Sequence, residues 1–157
     1  MSKQKLVIAV IGGGRNVTPD LLQTAETVGR CIAQSGAALI CGGLGGIMEA
    51  ACRGACEAGG ETIGVLPSND KESANPWVTL PIATNMGSAR NLIIVQSASA
   101  VIAVGGAYGT LSEIAFSLDF GKPIIGMQSW DIDPAMQIVK SPEEAVRRAV
   151  ELAGKNT

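Results

Sequence analysis

Histidine is absent from the 157 residues of this chain, and aromatic residues make up only 3% of it. The absence of histidine removes the commonest general base and the commonest metal ligand of proteins. Apolar runs are short, and none approaches the roughly 20 residues that a membrane-spanning helix needs. The run at residues 6–11 ends in three glycines rather than in a small-residue cleavage site, which argues against a signal peptide. We therefore expect a cytoplasmic protein without a metal site.

An excess of charge of one sign is also lacking. Twelve basic and 14 acidic residues give a net charge of -2, with both signs dispersed along the chain. This balance predicts neither a nucleic-acid partner nor a membrane-surface partner. Four cysteines stand at positions 31, 41, 52 and 56. Cys52 and Cys56 lie one helical turn apart, but zinc sites usually use closer pairs, so we interpret all four as small buried residues in a reducing compartment.

Hydrophobic residues make up 46% of the chain, which is enough to bury the core of one domain over residues 1–157. Short apolar runs alternate with helical patterns, as is typical of βαβ units. The predicted strands are 5–11, 37–41, 62–66, 100–104 and 123–127, with 78–83 extended. The predicted helices are 19–35, 47–58, 88–98, 110–120 and 142–153, and 69–81 is a predicted loop. We expect a doubly wound, mostly parallel, Rossmann-like α/β sheet with helices on both faces.

Three of the predicted strands run directly into glycine-rich turns, at residues 12–14, 42–46 and 105–109. Because parallel strands end at one edge of the sheet, these turns should lie near the point where strand order reverses, and glycine lets backbone N–H groups approach an anion there. Neither G-x-G-x-x-G nor G-x-x-x-x-G-K-[ST] occurs, which argues against a dinucleotide enzyme and a P-loop NTPase. The candidate ligand contacts are Gly12, Gly13, Gly14, Arg15, Gly43, Gly45, Gly46, Met86, Ser88, Arg90, Gly105, Gly106, Tyr108, Gly109 and Thr110.

Glu113, three residues after Thr110, has two interpretations. The pair fits a capping box, S/T-x-x-E, in which Glu113 would be structural. Alternatively, Glu113 faces the ligand, although a carboxylate about 5 Å from a phosphate is repelled by roughly 3 kcal/mol at an effective dielectric near 20. Arg90 could offset that charge, because an arginine at a helix start is unfavourable for a purely structural role. We therefore expect Arg90→Ala to weaken ligand binding and to leave stability almost unchanged.

The segments at residues 43–50, 64–67 and 109–113, together with Arg90, resemble a known superfamily. They are similar to the Lonely Guy-type cytokinin phosphoribohydrolases, once labelled lysine decarboxylase-like, and to their short relatives, the molybdenum cofactor carrier proteins. The hydrolase pattern is P-G-G-x-G-T-x-x-E with an arginine 23 positions before the glutamate, which is the spacing of Arg90 and Glu113. Gly105, Ala107 and Asn91 stand where the hydrolases have proline, glycine and lysine. Gly105, the short length and the sequence 87–90 look more like the carriers.

The resemblance implies a binding or carrier protein for a phosphorylated heterocycle, either molybdopterin or a nucleoside monophosphate, with no cofactor needed for folding. An alternative is a nucleoside 5'-monophosphate phosphoribohydrolase in which Arg90 and Glu113 are catalytic. A third is a nucleotide-sensing module without chemistry. Helix 88–98 is apolar on most faces, which predicts a homodimer or homotetramer formed through it.

Overall fold

The computed structural model describes residues 4–155, which form one parallel sheet covered by five α-helices. The strands are β1 Val7–Gly12, β2 Ala38–Cys41, β3 Thr62–Leu66, β4 Leu80–Ala83, β5 Ala100–Val104, β6 Ile124–Met127 and β7 Gln137–Ile138. The helices are α1 Pro19–Gln34, α2 Ile47–Glu57, α3 Asn91–Ser97, α4 Tyr108–Asp119 and α5 Pro142–Lys155. Short 3₁₀ turns cover Lys71–Ser73 and Gly87–Arg90.

The strand order is β4-β3-β2-β1-β5-β6-β7, and every pair is parallel. The chain builds outward from β1 to β4 and then returns to add β5 on the other side of β1. Strand order therefore reverses between β1 and β5, where Gly12 is in register with Val104. In sheets of this kind, ligands bind outside the carboxyl ends of the strands at the reversal point. The prediction of a doubly wound α/β fold is confirmed.

Side chains of β1 alternate between two cores, as the period of a strand requires. Ile8 and Val10 pack on the face covered by α1, α2 and α5, whereas Ala9 and Ile11 pack on the face covered by α3 and α4. All four are at most 2% exposed. Burial on both faces explains why the strands have continuous apolar runs instead of polar–apolar alternation.

Three details differ from the sequence-based predictions. The predicted helix 88–98 is divided into the 3₁₀ turn and α3, and the predicted helix 110–120 begins earlier, at Tyr108. Strand β7 was not predicted, because two residues at a sheet edge leave no periodicity to recognise.

Thr18 does cap α1 as its sequence suggests: its hydroxyl accepts a hydrogen bond from the Leu21 N–H, and proline follows at the first helical position.

Helices α1 and α2 lie in backbone contact through two glycines. A Cβ added at Gly29 would lie 1.9 Å from the carbonyl oxygen of Ala51, and one added at Gly54 would lie 1.9 Å from that of Glu26. Since both obstacles are backbone atoms, the helices must separate to admit a methyl group. The spacing of these two helices also positions the second glycine turn, which directly precedes α2.

We expect Gly29→Ala to lower the free energy of unfolding by about 1–3 kcal/mol, the usual effect of overpacking. The matched control is Gly154→Ala in α5, where the added Cβ would meet no atom of the described residues within 4 Å. That change should be neutral or stabilise by up to about 1 kcal/mol, because alanine has the higher helix propensity. Urea denaturation of both variants measures the difference, and equal midpoints would contradict the backbone contact.

Candidate functional site

A crevice opens between the turns that follow β1 and β5, at the point where strand order reverses. It has two adjoining cavities, both bordered by Gly13 and Ala107. The first, of about 330 Å³, contains Arg15 and is called the Arg15 cavity here. The second, of about 190 Å³, contains Glu113 and is called the Glu113 cavity. The two cavities therefore lie side by side along the carboxyl edge of the central strands.

Most of the predicted contacts meet in this crevice. Gly13, Arg15, Gly105 and Gly106 line the Arg15 cavity. The Glu113 cavity is lined by Gly12, Gly13, Gly14, Arg90, Gly109, Thr110 and Glu113. The structure thus brings together residues from the first and third glycine turns with an arginine and a glutamate that are distant in sequence.

The remaining predicted contacts line neither cavity. Gly43 and Gly46 pack closely against neighbouring backbone: a Cβ at Gly46 would lie 2.4 Å from the carbonyl oxygen of Gly13. Tyr108 is 84% exposed, and Met86 and Ser88 are exposed on the turn before Arg90. The role of these residues and of Gly45 as ligand contacts stays a prediction.

Unpaired backbone donors border the Glu113 cavity. The N–H groups of Gly13 and Gly14 donate to no other backbone group within 4–155, and Gly109 and Thr110 are the second and third residues of α4. The latter two belong to the first turn of α4, where a helix always leaves N–H groups without internal partners and carries partial positive charge. The Ala107 N–H is paired, since it donates to the hydroxyl of Thr110 at 3.3 Å. A row of free donors at the positive end of a helix suits a bound anion.

Arg90 is buried, with 8% of its surface exposed, and its guanidinium is held on three sides. It donates to the carbonyl oxygens of Val65 at 3.0 Å and Gly42 at 3.3 Å, and to Oδ1 of Asn91 at 2.9 Å. Burial lowers the pKa of Arg90, while the charge of Glu113 raises it. Because a guanidinium has five N–H groups, two remain for a ligand. The sequence indicated only a ligand-binding role for Arg90. It gave no sign of these three structural hydrogen bonds.

Glu113 is the sixth residue of α4 and is 7% exposed. The capping-box interpretation is wrong, because the helix begins at Tyr108 and the hydroxyl of Thr110 accepts from Ala107 instead. Within residues 4–155 the carboxyl group makes no hydrogen bond and no ion pair within 4 Å. Burial raises the pKa of Glu113 to about 8, against the opposing effect of Arg90. The carboxyl is therefore mostly protonated at neutral pH and does not repel an anion.

Two further residues support the crevice. Asn91 is buried beside Arg90, and its Nδ2 donates to the hydroxyl of Ser112 on α4 at 3.3 Å. Trp130, in the segment after β6, donates from Nε1 to the carbonyl oxygen of Ala107 at 3.4 Å. Its ring also packs beside Gly106, where an added Cβ would lie 3.1 Å from Cδ1. No pattern in the sequence indicated Trp130, because the two segments are far apart in the chain. Trp77 instead packs against the core beneath α1 and α2.

None of the helices within residues 4–155 combines the length and apolar character needed to cross a bilayer. That part of the chain also contains no group of three or more cysteine, aspartate or glutamate side chains arranged to hold a metal ion.

These features define a Rossmann-like α/β protein with a glycine-lined crevice at the reversal point of its sheet. More specifically, the chain belongs to the SLOG cluster4 family, whose model matches residues 5–154. The resemblance inferred from the glycine motifs, Arg90 and Glu113 is thereby confirmed.

Three relatives show how far the similarity extends. An uncharacterised protein from Archaeoglobus fulgidus is 43% identical over 143 residues, covering 91% of this chain and 93% of the relative. The solved structure of the molybdenum cofactor binding protein of the phototrophic bacterium Rippkaea orientalis is 37% identical, with a TM-score of 0.91 over 96% of this chain and 99% of that one. The molybdenum cofactor carrier protein of Chlamydomonas reinhardtii is 31% identical, with a TM-score of 0.89 and the same coverage.

Proposed function

We propose that this protein is a carrier that holds a phosphorylated heterocycle of the molybdenum cofactor type in the crevice between β1 and β5. The observation that carries the proposal is the row of unpaired N–H groups beside Arg90 and a neutral Glu113. The relatives named above, at 37% and 31% identity, support the choice of cargo.

The Glu113 cavity suits the phosphate. Gly109 and Thr110 offer backbone donors at the positive end of α4, and Arg90 keeps two N–H groups that its structural partners do not use. Protonated Glu113 adds a donor instead of a repelling charge. A buried anion needs several such donors at once, since removing it from water without them is costly.

The Arg15 cavity suits the ring system of the cargo. Apolar side chains of Val17, Leu21 and Ile47 form part of its wall, and Arg15 provides an exposed cation at its mouth. Its volume of about 330 Å³ falls at the lower end of the range for small-molecule pockets, about 300–1,000 Å³. When bound, the cofactor supplies its own redox chemistry, and the residues of this chain bind and shield it.

Hydrolysis of a nucleoside monophosphate is the competing function, because Arg90 and Glu113 border the same cavity. Glycosidic cleavage develops positive charge on the sugar, which an ionised carboxylate would stabilise. A Glu113 whose pKa is about 8 is mostly neutral at pH 7 and supplies little of that charge. A protonated carboxyl can also act as a general acid on the leaving base, so the preference for the carrier rests on the relatives at 37% and 31% identity.

We propose that a homodimer or homotetramer forms through those apolar side chains of α3 that are not buried in the protein's own core. Ile94 and Val95 are fully buried in the protein's own core, whereas Leu92 and Ile93 are only half-buried. Leu92 and Ile93 are therefore the α3 residues that we propose for subunit contact.

Trp130 offers a direct test, because it touches the carbonyl of Ala107 at the border of both cavities. In Trp77→Phe, Trp130 is the only tryptophan left. We expect its emission to change in a saturable way when inorganic phosphate is added in phosphate-free buffer, and at lower concentration with a phosphorylated pterin. Trp130→Phe keeps only Trp77, which lines neither cavity, and should show no such change.

Mass spectrometry of small molecules that co-purify with the protein identifies the cargo. The proposal is overturned if no phosphorylated heterocycle co-purifies and neither added compound changes Trp130 emission or the melting temperature.

A further inference from the structure

Two of the four free cysteines form a buried pair behind the crevice. Cys41 ends β2 and Cys52 lies on α2, and their Sγ atoms are 3.5 Å apart. Both side chains have no exposed surface. Cys31 and Cys56 are only half-buried and have no such sulfur neighbour within residues 4–155.

Cys41 is the better nucleophile of the pair. The Gly43 N–H donates to its Sγ at 3.3 Å, in addition to the contact with Cys52. Hydrogen bonding from Cys52 and then from Gly43 lowers the pKa of Cys41 against the effect of burial, and the nearby Arg90 charge acts in the same direction. The thiolate, not the thiol, reacts with oxidants and disulfides.

We infer that Cys41 and Cys52 form a reversible disulfide on exposure to a peroxide, and that this disulfide weakens anion binding in the crevice. The first half stands on the sulfur geometry alone, whereas the second rests on the proposed function. The Cys41 thiolate attacks a peroxide oxygen, the O–O bond breaks, and Cys41 becomes a sulfenic acid. The Cys52 sulfur then attacks the Cys41 sulfur and water leaves. In total, two thiols and one hydrogen peroxide give one disulfide and two waters.

Closing the bond shortens the sulfur separation from 3.5 Å to about 2.05 Å, which draws the end of β2 and helix α2 toward each other. The later part of the second glycine turn is held in place, because Asn75 donates to the carbonyl oxygens of Gly43 and Leu44, each at 2.9 Å. Gly42 lies between Cys41 and this anchored part of the turn, so we expect it to take up part of the movement. Its carbonyl oxygen accepts from Nη2 of Arg90 at 3.3 Å, so the disulfide disturbs the guanidinium that borders the Glu113 cavity.

The experiment treats the folded protein with hydrogen peroxide, blocks the remaining thiols and determines the intact mass and the linked peptides. Cys31→Ser/Cys56→Ser, which retains only the buried pair, should lose two hydrogen atoms and recover them with dithiothreitol. Cys52→Ser, in which Cys41 has no partner, should not form this crosslink. Inorganic phosphate binding, followed by Trp130 emission, should weaken by about tenfold in the oxidised protein, as expected for loss of one hydrogen bond to a charged group.

The possible outcomes test the disulfide, its coupling to the crevice and the proposed function separately. If peptide mapping finds no Cys41–Cys52 link in the folded protein, the disulfide is overturned. If the link forms but phosphate affinity is unchanged, the coupling to the crevice is overturned. If the reduced protein itself does not bind phosphate, the proposed function fails, while the mass measurement still decides whether the disulfide exists.

Discussion

Glu113→Gln is expected to raise the free energy of unfolding by several kcal/mol at pH 9 and to change it little at pH 5. Burial raises the pKa of Glu113 from 4.5 to about 8. A carboxyl with a raised pKa favours the folded state fully at pH values below its unfolded pKa, and this contribution is lost as the pH rises through the folded value. Each unit of difference corresponds to about 1.4 kcal/mol. Glutamine has nearly the same shape, stays neutral and removes this dependence.

Urea denaturation at several pH values between 5 and 9 measures this effect. The matched control is Glu57→Gln, which removes an exposed carboxylate from α2. Its difference from wild type should not change with pH by more than the few tenths of a kcal/mol typical of surface substitutions. A Glu113→Gln difference that is equally independent of pH would mean that Glu113 is ionised in the folded protein at neutral pH.

The same variant separates the carrier from the hydrolase. At pH 7 a carrier with Glu113→Gln should bind phosphate as well as wild type, since both side chains are neutral. Above pH 8 wild type should bind more weakly, because ionised Glu113 repels the anion, whereas the variant should not. Comparing the two proteins at each pH cancels the titration of phosphate itself. Incubation with AMP should release no adenine. Robust release by wild type that falls by about a hundredfold or more in Glu113→Gln would identify a hydrolase.

Arg90→Ala is expected to impair both stability and ligand binding. The substitution leaves the carbonyl oxygens of Val65 and Gly42 and the amide of Asn91 without their donor, and it removes the cation that opposes protonation of Glu113. Removing one member of a buried charged network usually costs about 3–5 kcal/mol. The sequence-based expectation of almost unchanged stability is therefore revised, because the bonds to Val65 and Gly42 link the ends of β3 and β2 to the turn before α3.

Two matched variants separate the roles of Arg90. Arg90→Lys keeps a positive charge but cannot reach three acceptors with the fixed fork of a guanidinium, so it should recover only part of the stability. Arg15→Ala removes an exposed cation at the mouth of the Arg15 cavity and should weaken binding without changing the unfolding midpoint. If Arg90→Ala unfolds at the wild-type midpoint, the bonds to Val65 and Gly42 carry no stability.

Local patterns were sufficient to predict the central strands of the sheet and the edge at which the crevice opens. The apolar runs of β1, β2 and β5 predicted buried parallel strands, because residues that are covered on both faces leave no polar positions. The glycine turns after β1 and β5 predicted the crevice, since each directly follows a strand and parallel strands end at the same edge. Arg90 and Glu113 were identified by residue type and spacing within a recognisable motif. Each of these signals lies within a short stretch of sequence.

Only the tertiary structure decided the contacts and the protonation of these residues. The protonation of Glu113 depends on burial, and the bonds of Arg90 reach acceptors 25 and 48 positions away in the chain. The contact between Cys41 and Cys52 and the packing of Trp130 against the third glycine turn also join segments that no local pattern connects. Periodicity and turn chemistry act between residues near in sequence, whereas desolvation and hydrogen bonding depend on distances that exist only after the sheet and helices have packed.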